Sequence, residues 1–166
     1  MDILLRTLKN IMASEISSYK KLLELSRIKS KVLIKNRTAD LGEIVEKEQE
    51  ILNGIKLQEK DRVECVSKIS SAYGLGENNI DIETIIEEAS GSEKDDIIRL
   101  RAEFKDVLLE LADKNEQNKM LIETHRKYVE FCMQAIAGQL SSLSTYSHAG
   151  GESSLQTANV LFDSSI

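Results

Sequence analysis

Residues 92–142 read SEKDDIIRLRAEFKDVLLELADKNEQNKMLIETHRKYVEFCMQAIAGQLSS. Apolar side chains recur along this stretch at alternating three- and four-residue steps: Ile97, Leu100, Phe104, Leu108, Leu111, then Ile122, Val129, Met133, Ile136 and Leu140. Such spacing holds one stripe toward a partner over many turns, as in a coiled coil or a long bundle. Proline is absent and Gly138 alone interrupts. Ser92 with Asp95 three residues on makes a capping box for the start. The spacing predicts one helix of about 75 Å, at 1.5 Å per residue, which sets the long axis of the molecule.

Composition agrees. The 166 residues are 41% hydrophobic and 30% charged, with no Pro, no Trp and a net charge of −6. A chain rich in helix formers and poor in aromatics suits an elongated helical protein of one domain's length. The negative balance argues against a nucleic-acid partner, because phosphate binding needs concentrated positive charge. Five basic and no acidic residues lie between Arg27 and Arg37, a run read as a solvated face near the negative end of a helix dipole. No stretch of about 20 apolar residues is present to insert in a membrane, and the first residues, MDILLRTLKNIM, do not form a secretory signal. A cytoplasmic protein is expected.

Outward from the long helix, a first helix is expected over about 3–35, with the stripe Leu4, Leu8, Ile11, Tyr19, Leu22, Leu23, Ile28, Val32 and Leu33. Residues 36–40 break it, and Thr38 or Asp40 can cap a second helix over about 39–73. The second stripe is Leu41, Ile44, Val45, Ile51, Leu52, Ile55, Val63, Val66 and Ile69, interrupted by Glu48, Gln58, Glu59 and Arg62. Two helices of matching length on a short connection form an antiparallel hairpin. Gly74 and Gly76 end it. A short helix over about 81–90, capped by Asp81 and apolar along Ile82, Ile85, Ile86 and Ala89, reads as a lid on the bundle end. The expected fold is therefore all-α: an elongated antiparallel bundle of three long helices and one short one over 1–142, with a flexible tail over 143–166.

The third helix, at about 93–142, outruns its partners by roughly 15 residues, or ~22 Å, so the overhang begins near Tyr128. There it becomes apolar on more than one face, as Met120, Leu121, Tyr128, Phe131, Cys132 and Ala135 add a second stripe. Such a helix calls for cover from another molecule or from the tail. The tail has no Lys or Arg, abundant Ser and an apolar anchor at Val160, Leu161 and Phe162, suited to ordering on binding. The expected partner-binding residues are Tyr128, Phe131, Cys132, Ile136, Leu140, Leu143, Tyr146, Val160, Leu161 and Phe162. Asn115, Asn118 and His125 fall on the apolar stripe, where buried polar residues fix register by bonding across a bundle.

Chemistry-bearing patterns are thin. The residues three before His125 and His148 are Ile122 and Thr145, not the Glu of a di-iron bundle. Cys65 and Cys132 sit at apolar positions without ligand neighbours and read as buried reduced thiols. No phosphate-binding, hydrolase or dinucleotide fingerprint occurs. No catalytic residue, metal or cofactor is expected.

Glu59-x-x-Arg62 late in the second helix, the Gly-Leu-Gly break at Gly74 to Gly76, and Leu111-x-x-x-Asn115-x-x-Asn118-x-x-Leu121-Ile122 leading to Tyr128-Val129 together resemble the FlgN-type flagellar export chaperones. The tail, with Tyr146, Gly150 and Phe162-Asp163, fits the same pattern, so the resemblance spans essentially the whole chain. It implies a cytoplasmic chaperone that binds C-terminal helical segments of flagellar hook-associated proteins and delivers them to the flagellar type III export apparatus. The alternative is a structural coiled-coil or adaptor protein that forms a homodimer through the third helix when no client is bound.

Overall fold

The computed structural model describes residues 2–74, 82–88 and 91–147, with side chains over 3–74, 82–87 and 91–138. Among these residues the chain is all-α. Helix α1 spans Asp2–Ile34, α2 Leu41–Tyr73, α3 Ile82–Glu88 and α4 Ser92–Ser147, and a 3-10 turn, Thr38–Asp40, precedes α2. The chain divides into an N-terminal unit, Met1–Ile122, and a C-terminal unit, Glu123–Ile166.

Local chemistry places the helix ends. At the end of α1, Asn36 takes the left-handed conformation, φ 53°. Its N–H donates to the Leu33 carbonyl at 2.9 Å, and the Arg37 N–H donates to the Val32 carbonyl at 3.0 Å. This is a Schellman closure with Asn in the position usually held by Gly. Helix α2 ends on Gly74, also left-handed, whose N–H reaches the Ser70 and Ser71 carbonyls. The expected caps at the start of α2 are not made: Asp40 occupies the cap position without a side-chain cap bond, and its carboxylate pairs with Arg37 at 2.6 Å. Ser92 is already helical and follows Gly91, so it stands one place inside the position a capping box needs. Gly76, Asp81 and Ala89 lie outside the described residues.

In the N-terminal unit the central element is α1 rather than α4. It supplies Leu5, Leu8, Met12, Ile16, Leu22, Leu23, Val32 and Leu33, half of the buried apolar side chains of the described residues. Helix α2 runs antiparallel to it: Cys65 Sγ lies 3.6 Å from the Leu4 carbonyl, Gln58 donates to Ser14 Oγ at 2.7 Å, and Lys29 pairs with Glu48 at 2.5 Å. Helix α4 runs parallel to α1. Lys9 meets Glu93 and Asp96, Lys20 meets Glu103, Arg27 meets Glu110, and Ser26 and Ser30 meet Asn115 and Asn118. Three of the four polar residues that interrupt the α2 stripe are turned to α1, since Glu48, Gln58 and Arg62 each bond to it, while exposed Glu59 pairs with Arg62 at 3.8 Å.

Two apolar clusters result. One joins Leu5, Leu8, Met12, Cys65, Ile69, Ile85 and Ile97, drawing on all four helices, and the other joins Leu22, Leu23, Ile55 and Leu111. Full burial of each such side chain contributes about 1.5–3 kcal/mol. The lid reading of α3 is explained by Ile85, buried in the first cluster, with half-buried Ile82 and Ile86 packed beside it. Ion pairs add less, since exposed ones contribute about 0–1 kcal/mol each. The basic run from Arg27 to Arg37 is largely taken up this way, with Arg27 on Glu110 and Glu24, Lys29 on Glu48 and Arg37 on Asp40.

Candidate functional site

Beyond Ile122, α4 continues to Ser147, past the expected end at Ser142. Tyr128, Val129, Phe131, Met133 and Ile136 are exposed there, Tyr128 and Phe131 at 68% and 69%. Cys132 is half-buried, whereas Cys65 is buried, and both are free thiols. Burial pushes the Cys65 thiol up. Cys132, one turn on from Tyr128, raises the phenol above its usual value. Arg126 pairs with Glu130 at 2.6 Å on the same helix. The arrangement is a row of large exposed apolar side chains beside a charged flank. Leu140, Leu143 and Tyr146 fall in α4, but their side chains, and all of Val160, Leu161 and Phe162, lie outside the described residues.

Exposed apolar residues precede Tyr128 on α4, with Met120 at 59% and Ile122 at 48%. Asn118 bonds across to α1. Its amide donates to the Ser26 carbonyl at 2.8 Å and to Ser26 Oγ at 2.9 Å, and Ser30 Oγ donates to its Oδ1 at 2.5 Å. Ser26 Oγ also donates to Asn115 Oδ1 at 2.8 Å. Asn118 and Ser26 are buried while Asn115 is exposed at the edge. His125 is half-buried, and no hydrogen bond joins it to another described residue.

Two features of the N-terminal unit escaped the sequence reading. Glu15 is 2% exposed. Arg62 Nε donates to its Oε1 at 3.1 Å and stands 3.0 Å from Oε2, which makes no hydrogen bond of its own. Burial raises the Glu15 carboxyl above its usual value; Arg62 opposes that, and Glu59 reinforces it. The signal was a gap: the stripe of α1 steps from Ile11 to Tyr19, and position 15 falls midway on the same face. Beside it Tyr19 meets Phe104 edge-on, ring centres 5.2 Å apart.

The second feature is an apolar groove of about 740 Å³ between α2 and α4. Met12 lies at its floor, Val63 and Val66 on one wall, Phe104, Leu108 and Leu109 on the other, and Ile82 of α3 at one end. Arg62, Arg101, Lys105 and Glu83 complete the lining. Its signal was Leu109 beside Leu108, an apolar residue off the main stripe of α4.

No group of three metal-ligating side chains comes together among the described residues, and no helix among them is long and apolar enough to cross a membrane. The FlgN protein family model matches residues 1–154. The chain is 30% identical over 144 residues to YvyG of Bacillus subtilis, described as an uncharacterized protein, an alignment covering 86% of this chain and 87% of that one. No solved structure matches. The match over nearly the whole length, on a helical chain with an uncovered apolar helix face, places this protein in the FlgN family of flagellar export chaperones.

Proposed function

We propose that this protein is a cytoplasmic, non-enzymatic chaperone. It holds the C-terminal helical segments of flagellar hook-associated proteins and hands them to the type III export apparatus. The observation that carries the reading is the exposed apolar row on α4 beyond Ile122, in a member of this family. Tyr128, Phe131, Cys132 and Ile136, continued by Leu140, Leu143, Tyr146 and the Val160-Leu161-Phe162 anchor, form the client-binding surface. A helix lying on such a row meets it at i, i+3, i+4 and i+7, and moderate affinity then suits release at an export gate.

The test compares the full chain with one ending at Gln139, titrated calorimetrically with the C-terminal segment of a hook-associated protein. The shortened chain stays helical and loses at least tenfold in affinity, about 1.4 kcal/mol. Equal binding by both would place the client elsewhere. Self-association of the full chain without client, abolished by Phe131→Asp, would instead favour the adaptor reading.

Asn115 and Asn118 set the register of α4 on α1 in this reading, and His125, without such a bond, has no share in it. Changing the asparagines alone to Leu leaves buried serine hydroxyls with fewer partners, at about 1–3 kcal/mol. Changing both sides, Asn115→Leu and Asn118→Leu with Ser26→Ala and Ser30→Ala, is close to neutral in stability and admits alternative oligomeric states. Urea unfolding with analytical ultracentrifugation reads both. A fourfold variant that stays in a single state identical to the parent would remove the register role.

A further inference from the structure

The exposed apolar side chains of α4 in the C-terminal unit do not share one face. At 3.6 residues per turn each residue advances the helix by about 100°. Met133 and Ile136 therefore stand about 40° and 20° to either side of Val129, whereas Phe131 stands about 160° from it, with Tyr128 about 60° from Phe131. Exposure is as high on one side as on the other: 57% at Val129 and Ile136, 69% at Phe131. A single neighbouring helix is met by an apolar stripe of about 100°, too narrow to cover both sides.

Charge changes at the same place. From Ser92 to Glu130 the helix never runs more than three residues without an acidic or basic side chain, but its last 17 residues, Phe131 to Ser147, include no Asp, Glu, Lys, Arg or His. That length is about 25 Å at 1.5 Å per residue. A helix that keeps one side in water ordinarily carries charges there, and one enclosed on all sides excludes them, because a buried charge without a partner is costly. The complementary surface is then uncharged as well, since a carboxylate or ammonium group laid against this length finds no opposite charge.

We infer, resting on the function proposed above, that the client occupies this end of α4 with two helices at once. One lies on the side of Val129, Met133 and Ile136, the other on the side of Phe131 and Tyr128, and each is uncharged along the contact. The end of α4 is thus one member of an intermolecular three-helix bundle, and a client that offers a single helix fills half of the site.

The experiment uses the full chain and the C-terminal segment of a hook-associated protein in two lengths, one carrying its last helix and one its last two. By calorimetry the two-helix segment binds one to one and at least tenfold more tightly than the one-helix segment. Met133→Asp and Phe131→Asp each lower its affinity at least tenfold, and circular dichroism shows both variants as helical as the parent. Photo-crosslinking then reports what lies on each side: p-benzoylphenylalanine in place of Phe131 captures one client helix, and in place of Met133 it captures the other. Capture of the same helix from both positions, unchanged affinity in either Asp variant, or equal binding of the two segments leaves a site for a single helix and overturns the inference. So does capture, at either position, of a second copy of the chain or of its own residues 148–166. Binding of neither segment overturns the function proposed above and this inference with it, whereas the other outcomes overturn the inference alone.

Discussion

Arg62→Met is expected to lower the stability of the folded chain by about 3 kcal/mol at neutral pH, because it leaves the Glu15 carboxylate buried without its partner. The figure sits at the low end for breaking a buried pair, since Arg62 is 30% exposed and water reaches its side of the contact. Replacing both groups, Glu15→Leu with Arg62→Met, removes the stranded charge along with its partner and restores most of the loss. Urea unfolding followed by circular dichroism measures all three chains. A single variant within about 1 kcal/mol of the parent would mean that the pair does not hold the centre of the unit.

Acid makes the same point with a definite sign. The Glu15 carboxyl is raised above its ordinary value near 4.5, first by burial. A carboxyl that binds its proton more tightly folded than unfolded adds stability as the pH falls from its folded value toward 4.5, and nothing further below that. Glu43, Glu64 and Asp96 behave oppositely. Lys47, Lys68 and Lys9 hold them below their usual values, so their contributions fade as the pH falls through and below the ordinary carboxylate range. Comparison with Glu15→Gln isolates the first effect. Between neutral pH and about 5 the parent gains stability relative to that variant, and in Arg62→Met, where the opposing cation is gone, the gain is larger.

The long helices were legible because their cause is local: periodic apolar residues, a break at Asn36 and a left-handed Gly74 each act within a few residues. The exposed end of α4 was legible from a difference of helix lengths. What periodicity did not give is which helix is central. The sequence reading put α4 first by length, whereas α1 supplies half of the buried apolar side chains. The partner of a polar residue was equally hidden. Glu48, Gln58 and Arg62 read as interruptions of a stripe because their answers, Lys29, Ser14 and Glu15, lie far back in the chain. The groove escaped for the same reason, since its walls come from two helices that run in opposite directions.

Leu8→Ala and Ile85→Ala should separate the part of the first cluster that is integral from the part that is appended. Leu8 is fully buried on α1, between α2 and α4, and cannot leave its place without opening the unit. Its truncation is expected to cost about 3–5 kcal/mol in global stability, the transfer loss together with a cavity that the surrounding helices cannot close. Ile85 is as deeply buried, 1% exposed, but it sits on a helix of seven residues. A helix that short has little stability of its own and is held by Ile85, by half-buried Ile82 and Ile86, and by the Glu83–Arg101 ion pair. When Ile85 becomes Ala, α3 detaches once its docking free energy falls below the cost of the cavity, so the global loss is capped at about 1–3 kcal/mol. Hydrogen exchange reads the difference: residues 82–88 lose protection in Ile85→Ala while residues 8–23 keep theirs, whereas Leu8→Ala lowers protection through α1, α2 and the first turns of α4 together. Equal and uniform losses in the two variants would show that α3 folds as an inseparable part of the bundle.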